Sequence, residues 1–566
     1  MGLGVLEDDH LQHVPGTALL ADVLDAQQLR YRGRDTSALK HGTGRNADIV
    51  LVPQPSESPR DPLNWPQWKK ELLLLIISID TAVVGAWGPM ITPGFADMAK
   101  QFNMSYNALN GGLGWAIFAI GISCFFTNGL AVKYGRRPVM ILGNMMLFIS
   151  SVWAYHAHSY ESLLASRIFG AIGMSPFEIL TTAVIGDIYF LHERGLRLAF
   201  WGLCLSVGVG GGSCISGYII ENLGWNWTYG ICAILYGVFI LLIFFFVPET
   251  VYKRDPAYNI DLGTTDHTEE ILDANTNATR VIPVGEEPKS ETEKKERVVR
   301  LEPIYTGAEE KPYTFWEELK PVRGVESEEN LLKIIIRPLG MLLYPQVFYA
   351  FLTYGLSTSW LVVMGGVMAQ IFTVPPYNFS VSAVGLVSIS PLVAALLSIV
   401  AGPANDYTVK QLARWNKGIY EPEFRLALNV LTLVLGVIGF FGFGATLEKG
   451  LPWAGPVFLY GLIYFSIGFL NIGIFGYITE CHRSKAPEAF AALNLRNVYS
   501  FGMNYFISDW ISSMGTLQVF SIIGGVHIFI MVLTIPMWVF GKRCRSVSAR
   551  VPFFRNITGH AGAGGR

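Results

Sequence analysis

"SRIFGAIGMSPFEILTTAVIGDIYF", residues 166–190, reads as a bilayer span, yet it carries Arg167, Glu178 and Asp187. A helix that crosses lipid needs about 20 largely apolar residues. An ionisable side chain at the bilayer centre costs roughly 2.5–3.5 kcal/mol even on permissive insertion scales, so a charge kept there faces a cavity, a partner or a gate. The composition agrees with a membrane protein. Of 566 residues, 51% are hydrophobic and 15% charged, against about 25% charged in soluble domains. A formal net charge of -2 speaks against a nucleic-acid partner. The six cysteines (Cys124, Cys204, Cys214, Cys232, Cys481, Cys544) show no paired spacing. No disulfide framework, metal site or cofactor is expected.

Outward from this stretch, the same length rule gives twelve spans. Six are read at 72–95, 107–130, 138–158, 162–186, 199–220 and 227–247. Six more are read at 340–370, 381–402, 427–446, 453–477, 493–514 and 518–541. The expected fold class is an all-α membrane protein with twelve transmembrane helices in two six-helix bundles. The expected divisions are an N-terminal tail (1–70), a first bundle (71–247), a linker (248–335), a second bundle (336–541) and a C-terminal tail (542–566). The linker contains "ETEKKERVVR" and reads as flexible, with one amphipathic helix at "YTFWEELK". The first 70 residues lack the pattern of a signal peptide, so the run from Leu72 is expected to direct insertion.

Orientation follows from Lys and Arg in the short loops. Lys133, Arg136 and Arg137 follow span 2, and Arg194 and Arg197 follow span 4. Lys410, Arg414, Lys417 and Arg425 follow span 8, Arg483 and Lys485 follow span 10, and "GKRCR" follows span 12. The alternate loops hold little beyond Lys100 and Lys449. Both termini and the linker are therefore expected in the cytoplasm. Of two glycosylation sequons, Asn103 would face outside and is open to modification, whereas Asn277 would not.

Helix geometry separates the charges of span 4. Arg167 and Glu178 are eleven residues apart, which places them on one face about 16 Å apart at 1.5 Å per residue. Asp187 falls on the opposite face near the cytoplasmic end, with Pro176 free to kink the helix between. Glu178 suits proton coupling or contact with a cationic substrate, because a carboxylate removed from bulk water readily exchanges a proton. A hydrogen-bonded structural role is the alternative. Asp80, in "LLLLIISIDTAVVGAW", lies about 15 Å beyond Lys70 along span 1, near the midplane. It reads equally as a cation or proton site and as an interhelical hydrogen bond to a Ser or Thr. Arg167, near the outer end, reads as a snorkelling side chain. Asp509 reads as interfacial. Gly208, Gly212 and Gly217 in "GVGGGSCISGY" (208–218) read first as a close-packing stripe. Trp87, Trp115, Tyr354, Trp360, Asn497 and Asn504 also fall inside spans, where aromatic rings can stack on a cation or serve simply as core.

Six spans, a linker and six spans suggest a repeat. "NGLAVKYGRRPVMILG" (128–143) and "GPANDYTVKQLARWNKG" (402–418) are its clearest degenerate copies, with Gly402 and Asp406 standing where Asn128 and Val132 stand. The first copy resembles the loop 2–3 signature of the major facilitator superfamily, G-x-L-A-D-R-x-G-R-R. Leu130, Ala131, Gly135, Arg136 and Arg137 match, while Asn128 replaces the first Gly and Val132 the Asp. Arg167 to Gly173 loosely matches the span 4 motif. Gly208, Gly212 and Gly217 match the span 5 antiporter motif, with Ser213 for its Pro and Ser216 for a Gly. Span 6 ends in "VPET" (247–250), as in many members. "DPLNWPQWKK" (61–70), "DIYFLHERG" (187–195), "PPYNFS" (375–380) and "YEPEFRL" (420–426) resemble fungal members of the twelve-span drug:proton antiporter branch, in the subgroup with cation and polyamine carriers.

The resemblance implies two bundles rocking about a central site, driven by the proton gradient. It implies that Asp187 pairs with Arg136 in a latch on the outward-facing state, with Gly135, Arg137 and Glu249 beside it. It makes Arg167 a proton-transfer or substrate residue. The expected function is export of a drug or secondary metabolite across the plasma membrane by a monomer, with a small molecule, protons and the bilayer as partners. Uptake of organic cations such as polyamines is the alternative. A transporter-derived sensor is remote, because the C-terminal tail is short. No G-x-x-x-x-G-K-[ST], H-E-x-x-H or G-x-S-x-G motif is present, so neither an ATP-driven pump nor a hydrolytic enzyme is expected.

Overall fold

The computed structural model describes residues 53–253, 309–327, 329–482 and 486–551. It also describes residues 3–8, 10, 14, 16–19, 40, 51, 279–282, 300–303 and 553–554. The sequon at Asn277 and the loop cations Arg483 and Lys485 lie outside the described residues.

Helices dominate. The first half holds α1 (Gln67–Trp87), α2 (Phe95–Phe102), α3 (Tyr106–Tyr134), α4 (Arg136–Tyr155), α5 (Tyr160–Ile188), α6 (Leu191–Leu223) and α7 (Trp225–Phe246). The second half opens with α8 (Leu331–Met341) and α9 (Pro345–Phe372), then a span broken into α10 (Val381–Val387), α11 (Ile389–Leu397) and α12 (Ala401–Trp415). It continues with α13 (Asn429–Glu448), α14 (Ala454–Cys481), α15 (Ala486–Leu493), α16 (Arg496–Met514), α17 (Thr516–Val532) and α18 (Thr534–Arg550). Two short antiparallel pairs complete the described chain: β1 (Ala18–Leu19) with β4 (Ile419–Tyr420), and β2 (Thr279–Ile282) with β3 (Arg300–Pro303).

Among the described residues, eleven helical segments are long and apolar enough to cross a bilayer. The remaining expected span, α16, is long enough at 19 residues but more polar, with Arg496, Asn497, Ser500, Asn504, Ser508 and Asp509 along it. That polarity follows in part from its packing along α3 and α9, where Asn497, Ser500, Asn504 and Ser508 are buried. Three elements differ from expectation. The "YTFWEELK" helix is a single turn, Phe315–Glu318. The stretch read as linker already turns helical at α8, capped by Asn330. The twelfth span runs on through α18 into residues read as tail.

Turn chemistry sets the boundaries. Ser105, Ser159 and Ser380 accept the first free N–H groups of α3, α5 and α10. Pro176 sits inside α5 and removes one ladder bond to the Ile172 carbonyl. The Ser175 hydroxyl takes that carbonyl instead, at 2.8 Å, and meets Thr127 of α3 at 2.6 Å.

Within the first half, α1 packs on α6, α4 on α5 and α7, and α3 on α5. Within the second, α13 packs on α14 and α17, and α9 on α16. The halves meet along two seams, α3 with α16 and α6 with α10 and α11. Small residues permit the approach: a Cβ at Gly121 would lie 2.8 Å from Asn497, and one at Gly217 only 3.2 Å from the Gly385 Cα. Gly208 and Gly212 instead seat α6 against Ala82 and Ala86 of α1. The three glycines thus act in packing, at two different interfaces.

Candidate functional site

Glu178 of α5 and Arg496, the first residue of α16, form an ion pair of 2.7 Å across the seam between the halves. Their side chains are 28% and 16% exposed, so the pair is neither sealed in the core nor free on the surface. The Tyr354 ring lies 5.5 Å from the guanidinium, and Phe475 packs on Tyr354 at 5.1 Å. Cys124 of α3 is fully buried, with Glu178 and Arg496 as its electrostatic neighbours. Sequence reasoning singled out Glu178 and missed Arg496. The signal was present, since "NLRNVYS" puts an arginine at the start of an expected span.

Asp80 is placed elsewhere. It is fully buried in the first half and accepts a 2.7 Å hydrogen bond from the Asn144 amide of α4. The interhelical bond expected of it exists, with an Asn in place of a Ser or Thr. No described hydrogen bond or ion pair joins Asp80 to Glu178. Arg167 does not snorkel. It is 5% exposed, donates to the Tyr229 hydroxyl at 2.7 Å and the Gly88 carbonyl at 3.0 Å, and lies 5.4 Å from the Trp87 ring. Three partners inside the first half hold the guanidinium inward, which its stem alone did not reveal. Asp509 accepts from Asn107 at 2.9 Å, and beside it Asn110 donates to Ser508 at 2.7 Å. Glu221 accepts from the Ser382 N–H at 2.8 Å and the Ser380 hydroxyl at 3.3 Å. Both seams are therefore tied by polar contacts at the ends holding Tyr106 and Leu223.

At the other end of the first half, Arg136 pairs with Asp187, which also accepts from the Thr250 hydroxyl at 3.2 Å. Glu249 is buried and accepts the backbone N–H groups of Arg136 (3.0 Å), Arg137 (3.1 Å), Thr250 (3.0 Å) and Val251 (3.1 Å). Gly135 makes this possible. Its φ is +98°, and a Cβ there would occupy the space of the Glu249 carboxylate. Arg137 spends its charge on carbonyls, Phe244 at 2.5 Å, Lys320 at 3.0 Å and Glu318. Asn103 is exposed, with a left-handed φ of 51° at the end of α2, next to the helix cap Ser105.

The second half has a counterpart that the sequence reading did not assemble. Arg425 pairs with Glu480 at 2.6 Å and Asp406 at 3.3 Å. Arg545 of α18 pairs with Glu421 and Glu423, each at 2.8 Å, and Lys542 with Glu421 at 2.8 Å. "YEPEFRL" and "GKRCR" contain all of these charges but Asp406 and Glu480, and only the folded chain brings them together. Among the described residues no His/Cys/Asp/Glu group is arranged to hold a metal ion, and the six cysteines are free thiols.

A sequence model of the Major Facilitator Superfamily matches residues 73–503. Protein HOL1 of Saccharomyces cerevisiae is 27% identical over 95% of this chain and 96% of its own length. Efflux pump radE of Floropilus chiversii is 24% identical over 89% of this chain and 86% of its own. Among solved structures, a D-xylose-proton symporter superposes with a TM-score of 0.53 at 16% identity, covering 84% of this chain and 99% of that one. That last likeness is one of fold alone.

Proposed function

The chain belongs to the major facilitator superfamily, and from that premise we propose a proton-coupled secondary transporter that exports a small organic compound, a drug or secondary metabolite, across the plasma membrane. In this reading residues 71–247 and 336–541 are the two rocking bundles, joined by a linker at 248–335. The termini and linker are cytoplasmic by the distribution of Lys and Arg. Asn103, exposed, is the outward sequon. A monomer suffices for this scheme.

The observation that carries the reading is the Glu178–Arg496 pair at the seam. Closed, the pair is neutral. A proton on Glu178 leaves the site with the charge of Arg496. A monovalent organic cation on the Glu178 carboxylate leaves the same net charge. Proton and cation together would leave two uncompensated charges, so they exclude one another, which is the requirement for antiport. Asp80 then serves the first half as a structural hydrogen-bond partner. Export is favoured by the similarity to a protein named as an efflux pump.

Uptake of organic cations such as polyamines is the second reading. It is supported by the aromatic pair Tyr354–Phe475 beside the Arg496 guanidinium that partners Glu178, a surface that already holds a cation. One experiment separates them. Fungal cells lacking their own carriers express the chain, and labelled spermidine and a panel of hydrophobic toxins are followed with and without a protonophore. Export predicts toxin depletion that needs the proton gradient and falls at least tenfold in Glu178→Gln. Gradient-driven accumulation of spermidine establishes uptake instead. A Glu178→Gln chain that transports like its parent removes the pair from the mechanism.

A further inference from the structure

Residues 3–8 and 16–19 are docked on the second half, against the end of α18 and the loop before α13. Ala18 and Leu19 pair antiparallel with Tyr420 and Ile419. The Leu6 N–H donates to the Val539 carbonyl at 3.0 Å, and the Trp538 indole N–H to the Leu3 carbonyl at 3.0 Å. Glu7 pairs with Lys542 at 2.6 Å, Asp8 accepts from the Ser546 hydroxyl at 2.7 Å, and Thr17 donates to Glu421 at 2.6 Å. Val5 is buried among Val409, Ala413, Tyr420 and Phe424. Strand pairing, ion pairs and apolar burial thus agree independently on one docked segment.

We propose that residues 3–8 and 16–19 form a releasable strap on the ion cluster of the second half, and that Thr17 is a modification site through which added negative charge frees it. The strap's contacts reach the parts that the cluster holds together. Gly16 lies against Pro422, Arg545 and the Glu480 carbonyl, while Thr17 sits between Glu421 and Arg545, the latter at 3.3 Å. A segment that binds one arrangement of the helix ends biases the molecule toward that arrangement. Docked, the strap therefore holds α18, the end of α14 and the β4 loop as one body and slows parting of the halves. A phosphate on Thr17 brings about 1.5–2 negative charges beside Glu421, whose carboxylate already shares Arg545 with Glu423. The two cations there, Arg545 and Lys542, already face three acids, Glu421, Glu423 and Glu7, so the added repulsion outweighs their attraction and expels the strap. This inference does not depend on which compound is carried or in which direction.

The test uses the full chain in lipid nanodiscs and a hydrophilic maleimide, with labelling of each cysteine read by peptide mass spectrometry. Val5→Cys reports docking. The natural Cys124, buried at the α3–α16 seam, reports parting of the halves. In the Val5→Cys background, Thr17→Glu is expected to label position 5 at least tenfold faster and Cys124 at least threefold faster. Glu7→Ala, which removes the Lys542 contact from the strap side only, should move both rates in the same direction. Thr17→Ser keeps the hydroxyl and should match the parent. All three changes lie on the strap, so the helical halves are left intact. If position 5 labels as fast in the parent as in Thr17→Glu, the strap does not dock. If position 5 becomes reactive while Cys124 keeps its parent rate, the strap has no hold on the halves and the proposal is overturned.

Discussion

The two halves carry charge clusters at equivalent ends, each with a pair between a loop arginine and a helix-end acid (Arg136–Asp187 and Arg425–Glu480), to which each adds a second group of its own. In the first half the short loop is cationic (Arg136, Arg137) and the acids come from helix ends, Asp187 on α5 and Glu249 after α7. In the second the loop also holds Glu421 and Glu423 beside Arg425, and the cation that meets these two acids, Arg545, comes from α18. Burial differs as well. Arg136 and Asp187 are 21% and 22% exposed, whereas Arg545, Glu421 and Glu423 are 2%, 3% and 0% exposed. A partly wetted pair is worth little and exchanges partners readily. A buried pair tolerates loss of one member poorly, because the other charge is left without compensation. We therefore propose that the Arg136–Asp187 pair serves switching and the Arg545 group holding, although degenerate copies of one loop lead into both.

The largest way to break this contrast is Arg545→Met. It strands the buried Glu423 carboxylate, while Glu421 keeps Lys542 at 2.8 Å, and should cost about 3–5 kcal/mol, seen as lost folded yield and a lowered unfolding temperature in detergent. Adding Glu423→Gln should restore most of that loss, and failure to do so would mean that packing rather than charge holds α18. At the first cluster, Arg136→Asp or Asp187→Arg alone should move stability by about 1 kcal/mol or less while changing the transport rate severalfold. The double exchange should recover the rate. A transport rate indifferent to all three forms would deny the first cluster a switching role. The smallest effect is expected from Asp406→Val, which gives the second copy the residue that Val132 supplies in the first. Arg425 keeps Glu480 at 2.6 Å, and the exposed Asp406 contact is worth about 0.2–1 kcal/mol. A loss well above that range would show that Arg425 needs both acids.

Much of this was legible in the chain. Apolar runs of span length, the alternation of Lys and Arg between loops and the "KYGRR" motif led to a twelve-span facilitator fold without any contact being known. Glu178 stood out because an acid deep in a span has few inexpensive positions. Arg167 stood out equally, yet it meets Tyr229, Gly88 and Trp87 inside one half. Arg496 attracted no notice at a span boundary, yet it is the partner of Glu178.

Hydropathy and loop charge are properties summed along the chain, and the bilayer reads them locally. The sequence by itself therefore determined the membrane class, the expected order of spans and which charges are costly. Which charge meets which depends on the approach of segments hundreds of residues apart. Only the tertiary structure decided that Glu178 faces Arg496 across the seam, that Asp80 is tied to Asn144, and that residues 3–8 and 16–19 lie against the opposite half. Those choices rest on distances of a few ångströms between distant parts of the chain, where Coulomb and hydrogen-bond energies are decided.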